Sequence, residues 1–255
     1  RFFLAVIFLF LYVKGKGISL RINRREFRLL LITGFLTYAL DYGFIYWGEQ
    51  YLSAGVTSIF FSTFAVFTAL FSNFVFKNEP FRWGKYLGII VGIAGIVVVF
   101  LDQLITTQFS LKVLMASISI ILGALAAAAA TVIIKKYLSQ MKTETLSFYQ
   151  MTLGIFFLAF IALIGENLHQ VQWSPRIMLA LLYMSFMSSA AAFVIYYSLL
   201  KHMSAISLSF TIYIIPLVAL VGDYFFYEQV PSVRSFIGMA IIFSGIWLSQ
   251  THKRK

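Results

Sequence analysis

Asp41 lies in the middle of an apolar stretch, FLTYALDYGFIYW. A carboxylate there can take up a proton, or hold the charged end of a small solute. Ionisable groups inside apolar spans are costly and are functional-site candidates by default. Asp41 stands about 18 Å of helix beyond Leu29, and Arg1 stands as far back from Val13. On a two-helix hairpin the pair would face each other. Three readings are open: a buried structural ion pair, a substrate or proton-coupling site using one of the charges, or a position facing lipid or a loop. Tyr38 and Tyr42 fall on the Asp41 face at i, i+3 and i+4 spacing. Tyr196, Tyr197 and Tyr213 sit on later apolar runs. Tyrosines suit a pocket for an amphipathic organic solute, with an apolar body and one hydroxyl. Helix packing or an interfacial belt is the alternative, and it is favoured for Tyr46 and Trp47. Ser62, with Ser58, Thr63, Thr68, Ser207, Ser209 and Thr211, either lines a polar path or bonds back to its own helix. Glu79 and Glu228 end their runs, where gating and capping are equally plausible roles. Asp223 lies just inside Glu228 and is a weaker candidate than Asp41.

The elements that must position these residues are apolar runs of membrane-spanning length. They cover 29–48, 54–76, 84–101, 112–134, 145–165, 177–200, 204–227 and 234–250, after a stub at 1–13. A bilayer core takes about 20 mainly apolar residues per helix. Composition agrees: 61% of residues are hydrophobic and 11% charged, with a mean hydropathy of +0.90. No soluble core has this pattern. The stub spans only about 20 Å, and there is no initiator Met, so the sequence reads as starting inside a helix with N-terminal sequence removed.

The net charge of +11 is not a nucleic-acid signal. Sixteen Lys and Arg fall in alternate loops and the tail, and Lys112, Arg176 and Arg234 alone fall on the other side. That is the positive-inside bias, and it predicts a cytoplasmic C-terminus with anionic lipid headgroups as the partner of the charge. No cysteine is present, so thiol chemistry and Cys-based metal sites are excluded. The three histidines fall in loops or at helix ends, and no HExxH, GxSxG or P-loop occurs. The sequence therefore predicts no enzyme, no cofactor and no metal.

The chain resembles itself at about 150 residues. Tyr46 matches Tyr197, Ser53-Ala54 matches Ser204-Ala205, and Glu79 matches Glu228 with a small gap. A G-x6-G pair at Gly88 and Gly95 matches Gly238 and Gly245. The second copy holds five runs. The first holds the stub and three, which predicts ten helices with the first and the start of the second missing here. Two five-helix halves insert in opposite directions, which is the inverted-repeat plan of secondary transporters, with a midplane site between the halves. The expected fold is all-α and membrane-spanning. Its divisions are a first half at 1–101, an outer linker at 102–111, a second half at 112–250 and a basic tail at 251–255. Glycines 84, 88, 92 and 95, with Gly123-Ala124 and Ala126–Ala130, form small-residue ridges for packing within the chain, with a homodimer contact as the alternative.

The chain resembles the drug/metabolite transporter superfamily, in particular its EamA type. The residues that carry this are YWGEQYLSAGVTSIFFSTFAVFTALF at 46–71, Glu79, GKYLGIIVGIAGIVVVF at 84–100, IIPLVAL and YE within 214–228, and GMAIIFSGIWL at 238–248. One departure is plain. The family usually has a proline near Ala65, whereas Pro216 in the second half is kept, so the two halves are not expected to bend alike. The resemblance implies a permease of the cytoplasmic membrane that moves small metabolites, amino acids among them, often outwards. A proton or another ion is the candidate for coupling. The competing class is a membrane scaffold, channel or lipid-modifying protein with no transport cycle.

Overall fold

The computed structural model describes residues 1–76, 83–165, 174–215, 218 and 232–250. Among these no strand occurs. The helices are α1 (Phe2–Gly15), α2 (Arg24–Gly48), α3 (Ala54–Val75), α4 (Trp83–Val99), α5 (Leu101–Thr106), α6 (Leu111–Leu138), α7 (Thr143–Gly165), α8 (Pro175–His202), α9 (Ala205–Ser209) and α10 (Val233–Gln250). Five of them, α2, α3, α6, α7 and α8, are long and apolar enough to cross a bilayer, and α1, α4 and α10 are shorter apolar helices. Only helices and closed barrels satisfy every backbone group in lipid. This is an all-α integral membrane protein. The run expected at 204–227 is described only in part, and the tail at 251–255 lies outside the described residues.

Local chemistry sets the helix starts. Asn23 and Glu26 close a capping box on α2. The Ser53 side chain accepts from Val56 N–H, and Ser204 accepts from Ser207 N–H. The repeated Ser-Ala is thus a repeated N-cap, which satisfies amides that a helix start leaves open. Ser174 caps α8, followed by Pro175 in the first turn.

The missing proline does not leave α3 regular. The α-helical run stops at Phe61 and resumes at Thr63, with Ser62 at φ −60° and ψ −20°. In the second copy the chain tightens into a 3₁₀ turn at Phe210–Tyr213. These are positions that the repeat makes equivalent. The hydroxyls supply the reason. Ser62 and Thr63 donate to the carbonyls of Ile59 and Phe60, and Ser209 and Thr211 donate to those of Ile206 and Leu208. Such back-bonding competes with the backbone ladder.

The chain forms two compact units. One comprises Arg1–Gly43 and Ile133–Met203, the other Phe44–Val132 and Ser204–Lys255. In the first, α1 and the part of α2 up to Gly43 pack on α7 and α8 around Phe2, Leu9, Tyr38 and Met151. Tyr149 donates to the Leu20 carbonyl and Thr145 to that of Ser19, so the loop before α2 is tied to α7. The Lys135 ammonium donates to the carbonyls of Leu200 and Lys201 at the end of α8, at 2.7 and 2.9 Å.

In the second unit, α4 and α10 run against each other with glycines at the contact. A Cβ on Gly88 would lie 2.6 Å from the Gly245 carbonyl oxygen, and one on Gly245 would lie 2.8 Å from that of Gly88. Gly95 and Gly238 meet in the same reciprocal way. Each G-x6-G pair therefore serves as the other's partner, in antiparallel register. Elsewhere in this unit Phe64 lies on the alanines 124, 127 and 128 of α6.

Candidate functional site

Asp41, Tyr38 and Tyr42 are carried by a π-helical stretch of α2, Phe35–Tyr42. Such stretches are rare and occur often at functional sites, because the wider turn re-aims side chains. A second one, Phe186–Ala191, lies in α8. The Tyr46–Tyr197 match places Phe35 opposite Phe186 in the repeat, so the two stretches begin at the same register. A third, Ile134–Leu138, ends α6.

Tyr38 is fully buried and Asp41 is 6% exposed. The Tyr38 and Tyr42 rings stack with centroids 5.6 Å apart. Phe2 meets both edge-on, at 5.0 and 5.1 Å. Phe193 stacks with Tyr38 at 6.0 Å and leads on to Tyr197, whose ring meets that of Tyr196. The first unit thus gathers Arg1, Tyr38, Asp41, Tyr42, Tyr196 and Tyr197 among the predicted residues.

Gly154 makes room for this cluster. A Cβ there would lie 2.3 Å from the Tyr38 ring, at the ring's attachment carbon. The ring is enclosed and cannot step aside. Gly154→Ala is therefore expected to lower stability by about 1–3 kcal/mol through overpacking. A thermal melt of the purified variant checks this. An unchanged midpoint would show that Tyr38 is not held as described.

The ion pair expected between Arg1 and Asp41 is not formed between these two described residues. The Arg1 guanidinium instead lies over the rings of Phe2 and Tyr42, at 4.6 and 5.2 Å. Aromatic faces attract a guanidinium and need no carboxylate to hold it. Arg1 Nε and Asp41 Oδ1 are both buried without a hydrogen-bond partner among the described residues. Equal depth did bring the two residues into one unit, but rotation about the helix axes sent the cation to the rings.

Ser62 and Tyr213 belong to the second unit. The Ser62 hydroxyl bonds its own helix. Tyr213 fills the space over Gly92, and its hydroxyl donates to the Ile89 carbonyl at 3.3 Å. Tyr46 and Trp47 are 41% and 36% exposed. Glu79, Asp223, Glu228 and Pro216 lie outside the described residues.

Several buried polar residues were not singled out from the sequence, Gln150 and Ser147 among them. Gln150 and Ser147 on α7 are fully buried. Gln150 donates to the Thr33 hydroxyl of α2, while its own carbonyl oxygen and the Ser147 hydroxyl are without partners among the described residues. The signal was present: Gln150 is the one side-chain amide within the apolar run at 145–165. No group of three His, Cys, Asp or Glu that could hold a metal occurs among the described residues. What α2 offers here is a buried acid, Asp41, on the same helical stretch as the packed rings of Tyr38 and Tyr42. It can accept a proton, or N–H and O–H groups of an organic solute.

The profile of the EamA-like transporter family matches residues 1–101 and 114–251. The chain belongs to the EamA-like transporter family. With it comes the drug/metabolite transporter superfamily that the sequence resembles. A relative from Archaeoglobus fulgidus, an uncharacterised transporter, is 28% identical over 98% of this chain and 85% of its own length. The Bacillus subtilis transporter YoaV, also uncharacterised, is 22% identical over 95% of this chain and 82% of its own. A solved crystal structure superposes with a TM-score of 0.83 at 17% identity, covering 100% of this chain and 86% of that one, and so shares the fold. This EamA-like protein is thus a transporter, with a small-molecule substrate and the lipid bilayer as its partners.

Proposed function

We propose that this transporter is a secondary carrier that moves small organic metabolites, amino acids or related compounds among them, by alternating access, with export as its working direction. An ion gradient drives it, with the proton, which a buried carboxylate can take up and release, as the coupling ion. It sits in the cytoplasmic membrane with its C-terminus in the cytoplasm, the orientation that the loop charges favour. Two repeats of opposite insertion, spanning 1–101 and 112–250, supply the two access states.

The observation that carries this reading is Asp41. It is buried, it lacks an ion-pair partner in Arg1, and one carboxylate oxygen has no donor. Nothing in packing alone favours a carboxylate there. A structural role would call for a partner, whereas a transport role calls for an acceptor that a proton or solute can occupy and leave.

The test is transport in proteoliposomes made with the purified protein, against a panel of amino acids and related metabolites, with and without an imposed proton gradient. At least one solute is expected to accumulate above its equilibrium level only when the gradient is present. Movement that merely equilibrates would remove the coupling. No movement of any solute across a broad panel would favour the scaffold reading.

A further inference from the structure

We propose that the groove at the start of α2 holds one anionic phospholipid, with its phosphate between Arg24 and Arg28 and an acyl chain along Phe27, Leu31 and Phe35. The groove has a volume of about 440 Å³ and is lined by Ile22, Asn23, Arg24, Phe27, Arg28 and Leu31. Arg24 and Arg28 are one turn apart, so their guanidinium groups share a face. Both are exposed. A pair of guanidinium forks matches phosphate oxygens better than point charges do.

The acid nearest in sequence, Glu26, forms no ion pair with them among the described residues. The Glu26 carboxylate accepts from the Asn23 amide, and the Asn23 side chain accepts from Glu26 N–H. The same capping box satisfies the helix start, so the attraction for an anion comes from the arginines and not from open amides. Arg25, on another face, lies over the Tyr137 ring at 6.0 Å. Lys14, Lys16 and Arg21 add to the positive field of the neighbouring loop.

The apolar wall fits the rest of a lipid. Phe27 and Phe35 are 43% and 44% exposed, with Leu31 between them at one-turn spacing. From Arg24 to Phe35 the helix rises about 16 Å, which is about half of a bilayer core. A headgroup at the arginines therefore sets its chain along this stripe within one leaflet. The other wall, at Ile22, is steadied by the ties from Thr145 and Tyr149 to Ser19 and Leu20. A free phosphate would use the arginines and leave the stripe bare, so the apolar wall selects the lipid. The proposal is independent of what the protein transports.

The experiment is native mass spectrometry of the full chain in detergent, titrated with phosphatidylglycerol or phosphatidylcholine. One phosphatidylglycerol should be retained, with a preference of about tenfold or more over phosphatidylcholine. The double substitution R24Q/R28Q should remove that preference. K14Q/K16Q removes as much charge beside the same leaflet, and it should keep the affinity within about threefold. Phe27→Ala should weaken phosphatidylglycerol while leaving any effect of inorganic phosphate unchanged. Equal losses in the two double variants would mean diffuse attraction and overturn the site. Displacement of the lipid by millimolar inorganic phosphate would overturn the lipid assignment. Should R24Q/R28Q fail to fold, the wild-type comparison decides alone, and the absence of a preference sinks the proposal.

Discussion

Changing Asp41 to Asn is expected to reduce gradient-driven uptake to the level of empty liposomes, while exchange of solute across the membrane continues. The amide keeps the shape and one acceptor oxygen but cannot take up and release a proton. Folding should survive. Arg1 makes no ion pair with this carboxylate, and the buried Oδ1 has no donor to lose. Removing one member of a buried pair strands a charge and costs about 3–5 kcal/mol, but no such partner is stranded here. An Asp at a helix centre costs about 2.5–3.5 kcal/mol on insertion scales, so the neutral amide should hold or raise the melting midpoint. Uptake, counterflow and a melt on the same preparation separate the cases. A collapsed yield would make Asp41 structural after all. Wild-type uptake with an unchanged response to the gradient would remove it from the mechanism.

The largest loss of stability should come from the glycine contact between α4 and α10. A Cβ on Gly238 would lie 2.4 Å from the Val99 side chain and 2.8 Å from both the Gly95 carbonyl oxygen and the Val99 amide nitrogen. Backbone atoms cannot rotate away, so the helices must part. In lipid no hydrophobic force compensates, because association rests on close van der Waals contact. Gly238→Ala should cost about 1–3 kcal/mol and Gly238→Val more. Gly95→Val should do the same from the other helix, since it meets the Ile242 amide nitrogen and the Gly238 carbonyl oxygen at 2.8 and 2.9 Å. Gly15→Ala is the control: its Cβ meets nothing within 4 Å. Thermal unfolding in detergent reads all four. Equal midpoints for Gly238→Val and Gly15→Ala would refute the reciprocal contact.

Much of the fold was legible because its causes are local. Span length follows from bilayer thickness, and the apolar runs 29–48, 54–76, 112–134, 145–165 and 177–200 correspond to the five long helices. The Ser-Ala pairs cap the helices they precede, since a cap needs only its own first turn. The glycine ridge on α4 was legible as a packing surface, and its G-x6-G counterpart turned out to be the surface it packs on.

The site was legible only as far as a one-dimensional coordinate reaches. Depth along a helix can be counted from sequence, and it placed Asp41 with Arg1, Tyr38 and Tyr42. Rotation about the helix axis cannot, because it depends on what each neighbour leaves empty. The recess at Gly154 takes the Tyr38 ring, the rings of Phe2 and Tyr42 take the Arg1 cation, and Asp41 is left without it. The π-helical stretch that carries all three residues of α2 likewise emerged only from the structure. Sequence by itself determined that this chain spans a membrane as an EamA-like transporter, because length, hydropathy and repeated motifs are properties of the chain. Only the tertiary structure decided which side chains meet, because a buried contact is fixed by the shapes of both partners at once.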